Sequence, residues 1–358
     1  MRYAPRLALA AALLPFIAPS VLAQDSSEPD LGGAADVSAS MRAYAQGPGR
    51  ASQAAAAAAK PAGVDLSGQF ADPADRNQGA VGSCHAFGSI AVLEAAYFRR
   101  YGRRIRLSEE DLFLRRTVLT GDVYSQFCAS GKCELSEGGD PAADIRYVLD
   151  NGVLTGGAYQ AFAERYLRYR KAEQETLEGI AKERADQGWL EKLLYDPREH
   201  WVELQTDGQA KRLFTDYLEG RDPNSDAERA KVKAALAGFQ LRSKSYPFLW
   251  GAAAAKLSAA DCRAKGAAQY ADISAELAAG RPVAIAMSLS GLPVWGQTDS
   301  SKHAEHAFVL LGESDASGKR VFHSRNSWGG LNPDVPESQL CRVYGVFSVL
   351  APGESAKF

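Results

Sequence analysis

Along the chain the spacing of apolar residues changes period several times. From Phe87 onward Phe87, Ile90, Ala91, Leu93 and Tyr97 recur at helical intervals with no proline among them, which predicts a helix from Cys84 to about Arg100, opened by Ser83 or Gly82. The stretch YGRRIRLSEEDL then turns and begins a second helix. Ser108 is its cap, and Glu109, Glu110 and Asp111 fill the first turn, where negative charge suits the helix dipole. Pro141 opens a third helix that runs through Leu149 and is closed by Asn151 and Gly152. From about Ala158 to Leu249 the chain turns rich in Glu, Lys, Arg, Ala and Leu, with Tyr166, Trp189 and Trp201 among them. This reads as amphipathic helices broken near Pro197 and at RDPNSD, their charges forming solvated faces. Ser258 to Ala279 is partly helical. After it, VAIAMSL, AFVLLGE, VFHSRNS and VYGVFSVL are short runs rich in β-branched and aromatic residues, suited to an antiparallel sheet.

The N-terminal region follows a different pattern. Arg2 and Arg6 precede an apolar run from Leu7 to Leu22, interrupted by Pro15 and Pro19 and closing on Val21-Leu22-Ala23. That is the form of a secretory signal peptide cleaved after Ala23, too short for a spanning anchor. Residues 24–61 are rich in Ala, Ser, Gly, Asp and Gln and show no lasting amphipathic pattern, so they read as a low-complexity tail or a short pro-segment. The remaining composition is that of an ordinary globular chain of 358 residues, 46% hydrophobic, with a net charge of −2. So near-neutral a balance gives no reason to expect nucleic acid or an anionic membrane as a partner. The run Arg99, Arg100, Arg103, Arg104 and Arg106 reads as a solvated face.

Cys84 carries the strongest chemical signal. It lies in the first turn of the predicted helix, where unpaired N–H groups and the positive end of the dipole favour an anion and lower a thiol's pKa. Export adds a second argument. There are five cysteines, Cys84, Cys128, Cys133, Cys262 and Cys341; in an oxidising compartment an odd one is the candidate reactive thiol, and the other four allow three pairings. His85 adjoins Cys84 but points about 100° away around the helix, so it is badly placed as a base. His303 and His306 with Glu305 lack the helical spacing of known metal motifs, and His200 and His323 have no motif.

Three separated segments together resemble the papain-like cysteine peptidases. Gln78, Gly79, Gly82, Ser83, Cys84, Ala86 and Phe87 resemble that family's active-site segment, EHAFVLLG around His306 its histidine strand, and RNSWGG around Asn326 its asparagine segment, in the family's order. His306 follows Cys84 by roughly 220 positions where the family has about 130 to 150, so about 70 to 90 residues look inserted. Val81 stands where the family often has a cysteine, and His85 where it usually has tryptophan, which alters the primed-side wall of the cleft.

The resemblance implies an α+β two-lobe fold with the active site in the cleft between a helical lobe and an antiparallel β lobe. It implies Cys84 as nucleophile, His306 as general acid and base, Asn326 as the residue orienting His306, and Gln78 as an oxyanion donor. Gly138 and Gly139 would pair their backbone with an extended substrate, Glu305 would border the cleft, and Trp328 would lie over the Asn326–His306 bond at the substrate-binding side. It further suggests that Cys262 bonds back to the loop holding Cys128 and Cys133. The expected order is a signal peptide over 1–23, the tail over 24–61, a helical lobe over 62–157, a helical insertion over 158–249 that limits access to the cleft without supplying chemistry, and a β lobe over 250–358. The expected function is an exported, periplasmic or secreted cysteine endopeptidase without metal or cofactor, with a polypeptide substrate, a proteinaceous inhibitor as a further partner, and neither nucleic acid nor, after signal cleavage, membrane. Two rival functions on the same framework are an acyl transferase of transpeptidase or transglutaminase type and a non-catalytic binding protein.

Overall fold

The computed structural model describes residues 63–70, 76–118, 124–129, 132–157, scattered positions from 159 to 175, and 225–249, 253, 256–292, 305–316 and 318–355. The signal-peptide and tail readings and most of the insertion lie outside these residues. No helix among the described residues is long and apolar enough to cross a membrane.

The predicted first helix is α1, Cys84–Tyr101, and it is buried from Cys84 through Ala96. Its small residues explain that depth, since Ala86, Ala91, Ala95 and Ala96 let neighbouring elements approach on every side. It stops at Gly102, whose φ of 63° is left-handed, with Arg99 and Arg100 in the last turn. The second helix, α2, is short, Glu109–Phe113, and is capped as expected by the Ser108 hydroxyl, which accepts from the Asp111 N–H at 3.1 Å. A two-stranded hairpin, β2 (Tyr124–Ala129) and β3 (Lys132–Ser136), follows, with Cys128 and Cys133 as register partners; β1 is Val64–Asp65. Then comes α3, Pro141–Asn151, where Asp140 accepts from the Ala142 N–H at 2.9 Å and Pro141 needs no acceptor.

The acidic first turn of α2 does more than oppose a dipole. Glu109, Glu110 and Asp111 are all buried. Arg76 bonds Glu94 at 2.7 Å and Glu109 as well, and Arg229 bonds Asp111 at 2.9 Å. Burial pulls the Arg76 guanidinium down, but Glu94 and Glu109 outweigh it and hold it above its ordinary range. Burial pushes Glu94 up to about 6 against the pull of Arg76. Of the basic run, Arg99 is half-buried and bonds Glu354 at 2.9 Å, while Arg100, Arg103, Arg104 and Arg106 are exposed.

The described part of the expected insertion is built into the fold at both ends, which corrects its boundaries. Tyr159, Phe162, Ala163 and Tyr166 belong to the same buried cluster as α1. At the other end, α4 (Ser225–Ala235) packs on α3, and β4 (Gln240–Ser245) is an edge strand of the main sheet, with Arg242 reaching Glu276 at 3.3 Å. The charge-rich pattern hid this because an edge strand buries little, and no β-branched run marks it.

The sheet is antiparallel and ordered β4-β9-β5-β6-β7-β8, with β1 beside β6. Its strands are β5 (Val283–Ser288), β6 (Glu305–Ala316), β7 (Lys319–Arg325), β8 (Val335–Pro336) and β9 (Val343–Leu350). Alternation along β6 serves two cores. Ala307 and Val309 join the cluster around α1, whereas Phe308 and Leu310 join a second cluster with Ile273 and Leu277 of α6 (Ala267–Ala278). Burial on both faces is why these strands read as nearly continuous apolar runs. The fold is thus α+β, as expected.

One pairing departs from the expectation. Cys262, on α5 (Ala259–Lys265), is bonded to Cys341, with Cα atoms 5.1 Å apart. It does not reach the Cys128–Cys133 hairpin. Both partners are buried, and α5 packs against the 3-10 turn Glu337–Arg342.

Candidate active site

The residues named at the sequence level converge from three places in the chain. Gly88 lies one turn after Cys84 on the same face of α1, and a Cβ there would meet Ala284 Cβ at 3.6 Å and Phe308 N at 3.9 Å. The bare glycine lets α1 rest on the β6 backbone next to His306. The loop before the helix is pinned to the asparagine segment: the Gln78 N–H donates to Ser327 O at 2.8 Å, Asn77 bridges Trp328, and the Gly329 N–H donates to Arg76 O at 3.3 Å.

His306 and Asn326 are joined directly. The Ser327 N–H can only donate, and it faces Asn326 Oδ1 at 2.8 Å, which fixes that atom as the oxygen. The same oxygen lies 2.6 Å from His306 Nε2, so Nε2 must carry the proton and the Nδ1 lone pair is the basic one. The Trp328 ring is stacked on the imidazole at 4.4 Å and 28°, itself only 2% exposed. Burial pushes the imidazole down to about 4, and the bond to Asn326 recovers part of that. Without a negative partner this ring is neutral at neutral pH.

Cys84 is a fully buried thiol in no disulfide, at the first position of α1. Ser83 occupies the N-cap, but its hydroxyl does not accept from the helix; it bonds the Tyr159 hydroxyl. Gln78 is fully buried. Its Nε2 donates to Val81 O at 2.7 Å, its Oε1 accepts from the Ser327 hydroxyl, and the amide retains a second N–H. Ser327 was not singled out from the sequence. It stands between Asn326 and Trp328, and a small hydroxyl flanked by two candidate residues was the available signal.

The substrate-binding expectations fare differently from one another. Gly138 and Gly139 are half-buried just before α3. A Cβ on Gly139 would come within 2.5 Å of the His85 ring, so the absent side chain makes room for that ring. His85 is fully buried, with Nδ1 2.6 Å from Asp144 Oδ2, and its ring lies 5.9 Å from that of Phe113. It therefore backs the glycine pair from inside and forms no part of a cleft wall, which corrects that expectation. Glu305 is buried as well and accepts from the Tyr344 hydroxyl at 3.1 Å, so its charge is engaged within the protein. Glu137, absent from the expected set, is fully buried and accepts from the Gly82 N–H at 2.6 Å.

A family model described as papain family cysteine protease matches residues 61–189. This segment is similar to the papain family cysteine proteases. Chymopapain from Carica papaya is 32% identical over 106 residues, 30% of this chain and 26% of that protein. Digestive cysteine proteinase 1 from Homarus americanus is 32% identical over 114 residues, 31% of this chain and 32% of that protein. The chain thus matches about a quarter to a third of the length of these curated relatives. The solved structure of xylellain, a cysteine protease from Xylella fastidiosa, covers 82% of this chain and 87% of its own, at 14% identity and a TM-score of 0.44. The papain-family segment contains Gln78, Cys84, Gly138 and Gly139; His306 and Asn326 lie beyond it, and they enter the site through the geometry above.

Proposed function

We propose that this chain is an exported cysteine peptidase that hydrolyses peptide bonds through a thioester on Cys84. The observation that carries the reading is the His306 Nε2–Asn326 Oδ1 bond at 2.6 Å, which leaves a basic Nδ1 on a strand packed against the helix that begins with Cys84. Cys84 gives its proton to His306 Nδ1, and the thiolate attacks the carbonyl carbon. The resulting oxyanion accepts from Gln78 Nε2–H and the Cys84 N–H. Collapse breaks the C–N bond, and the amine leaves with the proton from His306. Water then adds to the thioester with His306 as base, the acid departs, and the thiol is restored. Because burial disfavours an isolated imidazolium, the cation exists as the partner of the thiolate, and the two titrate as a pair. Processing after export, and the extended binding of substrate along Gly138 and Gly139, belong to the same proposal.

The test is covalent labelling by an epoxysuccinyl peptide, together with turnover of a peptide amide. Label mapped to Cys84, and loss of turnover in Cys84→Ala, are expected. Wild-type turnover in a folded Cys84→Ala would overturn the reading. Aminolysis products that outrun hydrolysis when an amine is added would favour the acyl transferase.

A further inference from the structure

We propose that Glu137 and Arg170 are a positioning pair for the Cys84 thiolate: the carboxylate clamps the loop that carries the nucleophile, and the guanidinium cancels the charge the clamp brings with it. The inference rests on Cys84 being the nucleophile. Glu137 is fully buried, and its two oxygens are used in opposite directions. Oε2 accepts from the Gly82 N–H at 2.6 Å, two residues before Cys84, and Oε1 accepts from Arg170 Nη1 at 2.6 Å. Bonds to an ionised carboxylate are short and roughly twice as strong as neutral ones, so this is a firm tie. Because Glu137 directly precedes Gly138 and Gly139, the clamp sets the spacing between the nucleophile's loop and the glycine pair.

A second contact comes from the same region of the chain. The Tyr159 hydroxyl bonds the Ser83 hydroxyl, so consecutive residues ahead of Cys84 are held, Gly82 by Glu137 and Ser83 by Tyr159. Arg170 and Tyr159 both follow residue 157. The segment expected only to limit access therefore reaches the nucleophile's loop.

Charge makes the proposal testable. A buried carboxylate bonded two residues ahead of the thiol opposes a second negative charge there, and a cation on its other oxygen offsets that opposition. Among the described residues, the other charged or titratable groups about this loop are Arg76 at its start, bonded to Glu109, His306 on β6, His85 on α1 with Asp144 on α3, Tyr159, and Glu109 and Glu110 on α2, which act on the Tyr159 hydroxyl. All of these are common to every variant, so differences between variants isolate the pair.

The experiment measures iodoacetamide alkylation of Cys84 against pH, with the site mapped, beside kcat and KM on a peptide amide. Arg170→Gln leaves the carboxylate uncompensated and should move the thiolate limb upward by about one pH unit. Glu137→Gln keeps an oxygen for Gly82 but leaves the guanidinium, and should move the limb downward. The double variant should return toward wild type, with kcat reduced in both single variants and KM changed little. A pair that only stabilises the fold would lower the melting temperature and leave both limbs in place, which would overturn the proposal. Shifts of the same sign in both variants would do so too. If Arg170→Gln does not fold, Arg170→Lys retains the charge and should hold the limb near wild type; a shift in that variant as large as in a charge-removing one at Glu137 also overturns it. A wild-type thiol that alkylates only in the ordinary range near about 8.5 refutes the nucleophile reading itself. A lowered wild-type limb with unmoved variants refutes the clamp alone.

Discussion

Replacing Gln78 by alanine removes two structural bonds and, in the proposed mechanism, one catalytic donor. The structural bonds are the Nε2 donation to Val81 O at 2.7 Å and the acceptance from the Ser327 hydroxyl. Each leaves a buried polar group without its partner, at about 1–3 kcal/mol. The fold of Gln78→Ala should then lose about 2–6 kcal/mol, a large share of a native domain's stability. The catalytic loss is separate, because the second N–H of the amide is aimed at charge present only in the transition state. Removing one such donor costs about 100- to 1,000-fold in kcat. Ser327→Ala separates the two effects, since it removes the hydroxyl that holds Gln78 Oε1 but leaves the amide. It should share the loss of melting temperature while turnover falls by about tenfold or less. The assay is turnover of a peptide amide and iodoacetamide alkylation, each on protein shown folded by circular dichroism. Alkylation displaces iodide without forming an oxyanion, so Gln78→Ala should alkylate almost like wild type while its turnover collapses. Alkylation that falls in step with turnover would refute the oxyanion role and show that Gln78 acts by placing Cys84. Turnover within a few-fold of wild type would refute any catalytic part for the residue.

Two further outcomes follow from the structure. The Cys262–Cys341 bond leaves Cys128 and Cys133, register partners in the β2–β3 hairpin, as the remaining candidate pair, so thiol titration of the denatured, unreduced protein should find one group, at Cys84. Three or more would defeat that second bond. In a Cys84→Ala background, where no thiolate can stabilise a cation, His306 has a folded pKa depressed to about 4, below the ordinary value of 6.5. The unfolded chain then takes up the proton first, so stability falls as pH drops from about 6.5 through about 4, by about 3 kcal/mol at most. Measured against Cys84→Ala/His306→Gln the opposite trend from Glu94 cancels, and denaturant midpoints that run parallel for the two proteins would contradict the burial argument.

The local signals were legible because they act between near neighbours. Ser108 caps α2, Pro141 opens α3, and the apolar periods of α1, β5, β6 and β9 match their burial. The candidate site was also legible at Cys84, Gln78, His306 and Asn326, since each lies in a short motif whose residue types the chemistry demands. What the tertiary structure alone decided involves partners far apart in the chain. Nothing near Glu137 foretells Gly82 and Arg170, nothing near Gln78 foretells Ser327, and four remaining cysteines are equally able to pair on sequence grounds. Glu109, Glu110 and Asp111 look like a solvated, dipole-matched turn until Arg76 and Arg229 arrive from 33 and 118 residues away. Periodicity reports which face of an element is buried. Which buried charge meets which depends on distances that exist only once the sheet and α1 have packed, and one such pairing, Glu137 with Gly82, ties down the loop before Cys84.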